Sequence, residues 1–306
     1  MAVAKKRSRV IFWAGICLLI ALAVTAALFP FGGEGWRSVF RRLGLAASPP
    51  EGETVTFFDV GQGAAACLSG EDQICLIDCG GPAWGEVVAD GVRALGGRQV
   101  DLLLVTHPHD DHIGGLPALL RRLPVKRIAM PDWTPEGAAD AAALQALEEA
   151  CREAGCERLT LHEGDTFTVA GFTIETLFAR DAEEENDRCA VFAASAEGKR
   201  ALFLGDMSRE AEWRMLAAGV DLTCDLLAVG HHGSGGSTSR ELLDAAKPTL
   251  AVISCGADNP YGHPADATLG RLRAAGVPRL RTDVNGTVRI ALPALSVTCE
   301  RGEATK

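Results

Sequence analysis

Aromatic residues are scarce in this 306-residue sequence, at 6% of the chain with a single tyrosine. No stretch is rich enough in aromatics to bind single-stranded nucleic acid by stacking alone. Basic residues are outnumbered, with 30 Lys and Arg against 40 Asp and Glu and a net charge of −10. This balance argues against a protein whose whole surface binds nucleic acid non-specifically. The chain also lacks a repeat with a period of about 20–50 residues, which argues against solenoids and propellers.

Charged residues are absent from positions 10–31, where the sequence is largely apolar. A run of about 20 apolar residues is enough to cross the hydrocarbon core of a bilayer. Basic residues precede the run, which favours an N-terminus inside the cell and a remainder outside. We therefore expect a cytoplasmic tail at 1–9, a single transmembrane signal anchor at 10–31 and a linker at 32–53. The alternative is a cleaved signal peptide, which would release a secreted protein.

The rest of the chain has the pattern of a packed α/β domain. Helical patterns occur at 84–95, 138–154, 209–217, 240–246 and 267–275. Short β-rich runs outnumber them, and many of these runs are almost continuously apolar, as in strands that are covered on both faces. The pattern predicts a layered α/β sandwich formed as one domain of about 250 residues.

Histidine is also rare, with seven in the chain, but six of them fall in three short motifs. The densest motif follows an apolar strand and contains His107, His109, Asp111 and His112. Imidazole nitrogens and carboxylate oxygens are ligands of Zn²⁺ and similar ions. Four ligand-type side chains within six residues therefore predict a metal site rather than a solvated polar loop.

Two apolar strands resemble each other in sequence. Asp101-Leu-Leu-Leu-Val-Thr-His107 and Asp225-Leu-Leu-Ala-Val-Gly-His231 each begin with an acidic residue and end in histidine. Two equivalent strand ends would bring their histidines to one edge of a sandwich. Chance similarity between two apolar strands is the alternative.

Several motifs carry a resemblance to a known family when taken in order. They are Phe58-Asp-Val-Gly-Gln-Gly63, Leu76-Ile-Asp-Cys-Gly80, the segment 106–115, Phe203-Leu-Gly-Asp-Met207, Val229-Gly-His-His-Gly-Ser234 and Tyr261-Gly-His-Pro264. Together they resemble the metallo-β-lactamase superfamily, and more closely the hydrolase domain of ComEC-type DNA-uptake competence proteins. The resemblance implies a four-layer αββα sandwich with a hydrolase domain at 54–300.

The resemblance also assigns residues to a site for two divalent metal ions, Zn²⁺ or Mn²⁺. His107 and His109 match ligands of a first ion, Asp111, His112 and His231 match ligands of a second, and Asp206 matches a carboxylate that bridges them. We expect the carboxylates of Asp59 and Asp78 to orient ligand histidines by accepting a hydrogen bond from the ring N–H that does not face the metal.

Other residues are assigned to catalysis or to the surroundings of the metals. Asp111 is a catalytic candidate as well as a ligand. His232 and His263 are candidates for protonating the leaving oxygen, and packed structural histidines are the alternative. Ser234 lies in a glycine-rich loop that could bind an anion. Asn186 stands where the superfamily often has a further histidine ligand.

The resemblance implies a membrane-anchored phosphodiesterase or nuclease. It would act on DNA outside the cytoplasm through a hydroxide that bridges the two ions, together with partners in competence or DNA uptake. One alternative is hydrolysis of a small ester, lactone, β-lactam or envelope choline-phosphate at the same site. Another is an inactive metal-binding or DNA-binding module. Two departures from the family favour it: Ala64 stands where the family commonly has Asp, and the further histidine ligand is missing.

Overall fold

Two β-sheets packed face to face form the centre of the protein in the computed structural model, which describes residues 52–132, 138–179 and 189–302. In these residues the first sheet has eight strands in the order β15-β14-β1-β2-β3-β4-β5-β6. Its strands are β1 (Thr54–Phe57), β2 (Ala66–Gly70), β3 (Gln73–Ile77), β4 (Leu102–Leu104), β5 (Arg127–Pro131), β6 (Glu157–Leu161), β14 (Val288–Ala291) and β15 (Ser296–Cys299).

The second sheet has seven strands in the described residues, in the order β13-β12-β11-β10-β9-β8-β7. They are β7 (Thr166–Val169), β8 (Phe172–Phe178), β9 (Val191–Ala196), β10 (Lys199–Phe203), β11 (Leu226–Ala228), β12 (Leu250–Ile253) and β13 (Arg279–Arg281). Strands β10 to β13 pair in parallel, as do β3 to β6 in the first sheet. Each sheet therefore has a set of strands whose carboxyl ends lie along one edge.

Helices cover the outer face of both sheets. They are α1 (Gly85–Ala94), α2 (Asp110–Ile113), α3 (Leu116–Arg122), α4 (Ala138–Ala154), α5 (Arg209–Ala217), α6 (Arg240–Ala246), α7 (Asp266–Ala274) and α8 (Thr282–Asn285). Helix α1 shows why they pack, since Val88, Ala89 and Val92 recur at helical spacing and all three are buried.

Three apolar clusters fill the spaces between the layers. The central cluster lies between the sheets and includes Phe57, Phe172 and Phe192. A second cluster joins the first sheet to helices α1 and α3, and a third joins the second sheet to α5 and α6. This arrangement confirms the predicted α/β sandwich, with one layer of helices on each side of the paired sheets.

The predicted anchor at 10–31 lies outside the described residues, as do the tail at 1–9 and most of the linker. Among the described helices, none combines the length and the apolar character needed to cross a bilayer. The described elements begin with β1 at Thr54 and end with β15 at Cys299.

Candidate metal centre

The candidate ligands lie at the carboxyl ends of strands from both sheets. His107 follows β4 and Asp78 follows β3 in the first sheet, whereas Asp206 follows β10 and His231 follows β11 in the second. Parallel strands bring such ends to one edge, which is where open α/β sheets place their sites. The sandwich thus joins two distant parts of the chain at a single centre.

The first histidine motif is folded tightly against its own strand. His107 and His112 are buried, and their ring centroids are 4.1 Å apart. His109 lies beside them, with its ring centroid 4.5 Å from that of His107. The backbone of Asp111 is fixed by Ala64, whose N–H donates to the Asp111 carbonyl at 3.1 Å. A Cβ atom on neighbouring Gly63 would lie 2.5 Å from that carbonyl, so the close approach requires glycine.

Asp206 lies between the two histidine motifs and divides their side chains into two groups. Its Oδ1 is 3.1 Å from His112 Nε2 and 3.7 Å from His232 Nε2. Its Oδ2 is 3.6 Å from His231 Nε2 and 3.9 Å from His107 Nε2. Each carboxylate oxygen therefore faces one histidine from each motif, as a carboxylate shared by two cations would.

The second histidine motif is held in an unusual backbone conformation. His231 and His232 both have positive φ, at 48° and 52°. For residues other than glycine this conformation costs about 1–3 kcal/mol each and persists where the surroundings impose it. Here Gly205 accepts a hydrogen bond from His231 N–H, and Thr238 Oγ1 accepts one from Gly230 N–H.

The structure groups His232 with the ligands, together with Asp111, His112 and Asp206. The ligand atoms of these four residues lie within 4.8 Å of one another, and His232 Nε2 is 3.2 Å from Asp111 Oδ2. The ring is oriented by Ser254, whose carbonyl is 2.9 Å from His232 Nδ1. From the sequence, His232 was a candidate for proton transfer, and His231 was expected to be the last ligand of the second ion. Two adjacent histidines give no sequence signal that distinguishes these roles, and both have a left-handed backbone conformation. Their separate roles stay predictions.

Asp78 lies against the first motif, and its role in orienting a ligand histidine stays a prediction. Its Oδ2 is 2.7 Å from His112 Nδ1, and its two oxygens accept hydrogen bonds from the N–H and hydroxyl of Thr106 at 2.8 Å. Asp59 was expected to act in the same way. Asp59 pairs with Arg301 and accepts a hydrogen bond from Gly61 N–H at 3.3 Å.

Burial and charge act in opposite directions on the pKa values of the ligands. Burial would lower the pKa of His112, but the carboxylates of Asp206 and Asp78 raise it well above its usual value. Burial would also lower the pKa of His232, but the carboxylates of Asp206 and Asp111 raise it above its usual value. Burial favours protonation of Asp206, but His112 and His232 lower the pKa of that carboxyl well below its ordinary range. A cation binding here would have to displace protons from the two histidines.

The donor set fits divalent metal ions. The Nε2 atom of His107 is buried without a hydrogen-bond partner. The Nε2 atoms of His112 and His232 face carboxylate oxygens, Asp206 Oδ1 at 3.1 Å and Asp111 Oδ2 at 3.2 Å. Buried polar atoms are normally paired, so the unpaired nitrogen beside these histidines and carboxylates indicates a place for a cation. Imidazole nitrogens with aspartate oxygens suit Zn²⁺ and related ions.

The remaining predicted residues lie farther out. The His263 ring centroid is 5.6 Å from that of His231, so His263 borders the centre. Ser234 Oγ accepts a hydrogen bond from Gly236 N–H at 3.2 Å and thus stabilises its own loop; its role toward a substrate stays a prediction. Asn186 lies outside the described residues.

Sequence reasoning missed the side chains that hold the second motif in place. Glu212 on α5 is fully buried, and its carboxylate accepts hydrogen bonds from the N–H groups of Thr238 and Ser239. On the other side of the loop, Arg271 donates to the carbonyls of Ser237 and Thr238 at 2.6 and 2.8 Å. Glu212 and Arg271 each lie in an ordinary helical pattern, so no local signal marks this role.

The fold and ligands match a known family. The model described as the metallo-beta-lactamase superfamily matches residues 58–257. The chain belongs to the metallo-beta-lactamase superfamily. This confirms the resemblance given by the motifs, and the superfamily is one of metallo-hydrolases.

Within this superfamily, the chain is similar to competence proteins. It is 32% identical over 259 residues to ComE operon protein 3 of Bacillus subtilis, covering 78% of this chain and 33% of that protein. It is 29% identical over 299 residues to competence protein ComA of Neisseria gonorrhoeae, covering 92% of this chain and 40% of that protein. The chain thus spans about a third to two fifths of the length of these relatives.

Solved structures of the superfamily share the fold at low sequence identity. The metallo-beta-lactamase fold protein YhfI from Bacillus subtilis matches with a TM-score of 0.52 and 12% identity, covering 74% of this chain and 95% of that one. CmlA, a diiron β-hydroxylase from Streptomyces venezuelae, matches with a TM-score of 0.53 and 16% identity, covering 83% of this chain and 59% of that one. These likenesses concern the fold alone.

Proposed function

We propose that the protein is a phosphodiesterase, specifically a nuclease acting on DNA, that uses two divalent metal ions. The division of histidines between the two oxygens of Asp206 carries this proposal. One ion would be held by His107, His109, His231 and Asp206 Oδ2. The other would be held by Asp111, His112, His232 and Asp206 Oδ1. His231 would then take the place of the histidine that the sequence lacks at the first site.

Two cations at this position would supply an activated water and neutralise negative charge that develops on a phosphodiester. The side chains do the remaining work. Asp78 keeps His112 in one orientation, and the Ser254 carbonyl does the same for His232. His263 borders the centre, with its ring centroid 5.6 Å from that of His231. A proton donor for the leaving oxygen has to reach the open side of the site, where His263 lies.

The choice of DNA rests on the likeness to competence proteins. We propose further that residues 10–31 anchor the chain in the cell membrane, with the metal centre outside the cytoplasm. The substrate would then be DNA during uptake, and partners would be other proteins of that process.

The test uses the full-length chain purified in a mild detergent. Bound metal is removed with a chelator, Mn²⁺ or Zn²⁺ is restored separately, and end-labelled single- and double-stranded DNA are added. Cleavage that returns with metal and is lost in His109→Ala and Asp206→Ala supports the proposal. His162→Ala is the matched control, because this histidine is 73% exposed and lies outside the centre.

The same experiment can reject the proposal in two ways. Stoichiometric metal without DNA cleavage rejects the nuclease and leads to assays of small esters, lactones and β-lactams. Failure to bind either metal rejects the two-metal site as well and favours a binding module.

A further inference from the structure

An exposed aromatic ring lies at the rim of the metal centre. Tyr261 is 68% exposed and lies in the loop between β12 and α7. Its ring stacks on that of His263, with centroids 5.8 Å apart and planes inclined by 27°. His263 in turn packs edge-to-face on His231, whose Nε2 is 3.6 Å from Asp206. A continuous row of rings thus leads from the bridging carboxylate to solvent.

The side chains of Asn259 and Gln62 hold the loop that carries Tyr261. Asn259 Oδ1 accepts hydrogen bonds from the N–H groups of Tyr261 and His263 at 3.2 and 3.0 Å. Its Nδ2 donates to the carbonyl of Gly256 at 2.9 Å and to that of His263. Gly256 N–H donates to Gln62 Oε1 at 3.1 Å, which ties the loop to the first sheet. These bonds fix the backbone of the loop from which the exposed ring projects.

Core packing does not explain this ring, because most of its surface faces solvent. The other exposed large apolar side chains of the described residues are Val87, Trp213 and Val284. Val87 and Val284 are aliphatic, and Trp213 lies on α5. Among these four residues, Tyr261 alone stacks on a histidine ring of the site. A flat, neutral ring with one face covered by His263 suits a flat, uncharged ligand group such as a nucleobase.

We propose that Tyr261 stacks on an unpaired base next to the phosphodiester that is cleaved. The site then selects single-stranded nucleic acid, since a paired and stacked base cannot reach the exposed face of the ring. This inference rests on the proposed function and names its substrate class. Tyr261 acts as a specificity-determining residue, and the metal ligands are the same for any phosphodiester.

The test compares Tyr261→Ala with Tyr261→Phe in the full-length, metal-loaded protein. The substrates are a labelled single strand, the same strand in a duplex, and a strand of the same length made of abasic residues. Stacking on one base predicts that Tyr261→Ala raises KM for the single strand about tenfold, whereas Tyr261→Phe keeps the wild-type value. Cleavage of the abasic strand should be equal in all variants. Trp213→Ala, which removes another exposed aromatic, should behave as wild type.

Two results would overturn the inference. One is an unchanged KM for the single strand in Tyr261→Ala. The other is an equal loss on the abasic strand, which would assign Tyr261 a structural role in the site.

Fluorescence anisotropy of single-strand binding in chelator separates this inference from the nuclease proposal. Binding that depends on Tyr261 without any cleavage by the wild type would retain the stacking and reject the nuclease. If Tyr261→Ala binds and cleaves the single strand as the wild type does, the stacking proposal is rejected and the nuclease proposal stands.

Discussion

At the scale of single residues, the site depends on how each ligand is oriented from behind. The histidines of the first motif differ in this respect, since His112 is held by a carboxylate and His107 Nδ1 contacts the hydroxyl of Thr106 at 3.0 Å. A carboxylate behind a histidine fixes its ring and increases its basicity as a ligand. Asp78 and Asp59 each follow a strand of the first sheet and looked equivalent in sequence, but of the two only Asp78 contacts a candidate ligand histidine.

Asp78→Asn should therefore weaken metal binding by about 10–100-fold, the usual effect of losing such a partner. Asp59→Asn is the matched control and should leave the affinity near the wild-type value, because Asp59 pairs with Arg301. Isothermal titration of the chelator-treated protein with Zn²⁺ measures both. Equal losses in the two variants would contradict the separate roles assigned here.

At the scale of elements, the second motif depends on side chains of α5 and α7 that hold the loop after it. Helix α6 begins at Arg240, and its preceding residue Ser239 accepts a hydrogen bond from Leu242 N–H at 3.1 Å. Glu212 from α5 accepts from the N–H groups just before that helix. The strained pair His231 and His232 is thus connected to the framework through the loop that Glu212 and Arg271 hold.

Glu212→Gln should destabilise the fold by about 2 kcal/mol, because one of two buried N–H groups loses a charged acceptor. The variant should also bind metal more weakly, since the loop carries two ligands. Glu210→Gln is the control on the same helix, and its exposed pair with Arg214 should contribute less than about 0.5 kcal/mol. Urea denaturation measures both. A wild-type midpoint for Glu212→Gln would show that this carboxylate does not hold the loop.

At the scale of the whole molecule, the candidate metal centre is formed by residues from both sheets. Its ligands follow β4 of the first sheet and β10 and β11 of the second, so an ion bound between them connects both halves of the sandwich. The sequence similarity of the two strands has a structural counterpart. Asp101 and Asp225 each accept a backbone N–H from a neighbouring strand at 3.0 Å, and each pairs with a lysine.

Metal binding should therefore raise the thermal midpoint of the folded domain. At a free metal concentration 100 times Kd, the gain of about 2.7 kcal/mol corresponds to a rise of about 5–10 °C. Differential scanning calorimetry with and without Mn²⁺ or Zn²⁺ measures this rise. Asp206→Ala should abolish it and His162→Ala should retain it. An undiminished rise in Asp206→Ala would mean that the stabilising ion binds elsewhere.

Much of the fold could be predicted from local patterns. Helices α4, α5 and α6 have the predicted bounds, because apolar residues recur at helical spacing along their length. The pattern missed short or half-exposed strands such as β6, β7 and β15, which lack a continuous apolar run. The short helices α2 and α8 have four residues each and are too short for a periodic signal.

The sequence by itself determined the ligand types, the family and the order of the motifs, since each is written in a few consecutive residues after an apolar strand. Only the tertiary structure decided how those residues divide around Asp206. That division depends on two left-handed backbone conformations and on contacts between residues about a hundred positions apart, such as His107 and Asp206. The same holds for Asp59, whose partner Arg301 follows the last strand. The types of candidate ligand are set by short stretches of sequence, whereas the packing of the two sheets decides which of these side chains contact each other.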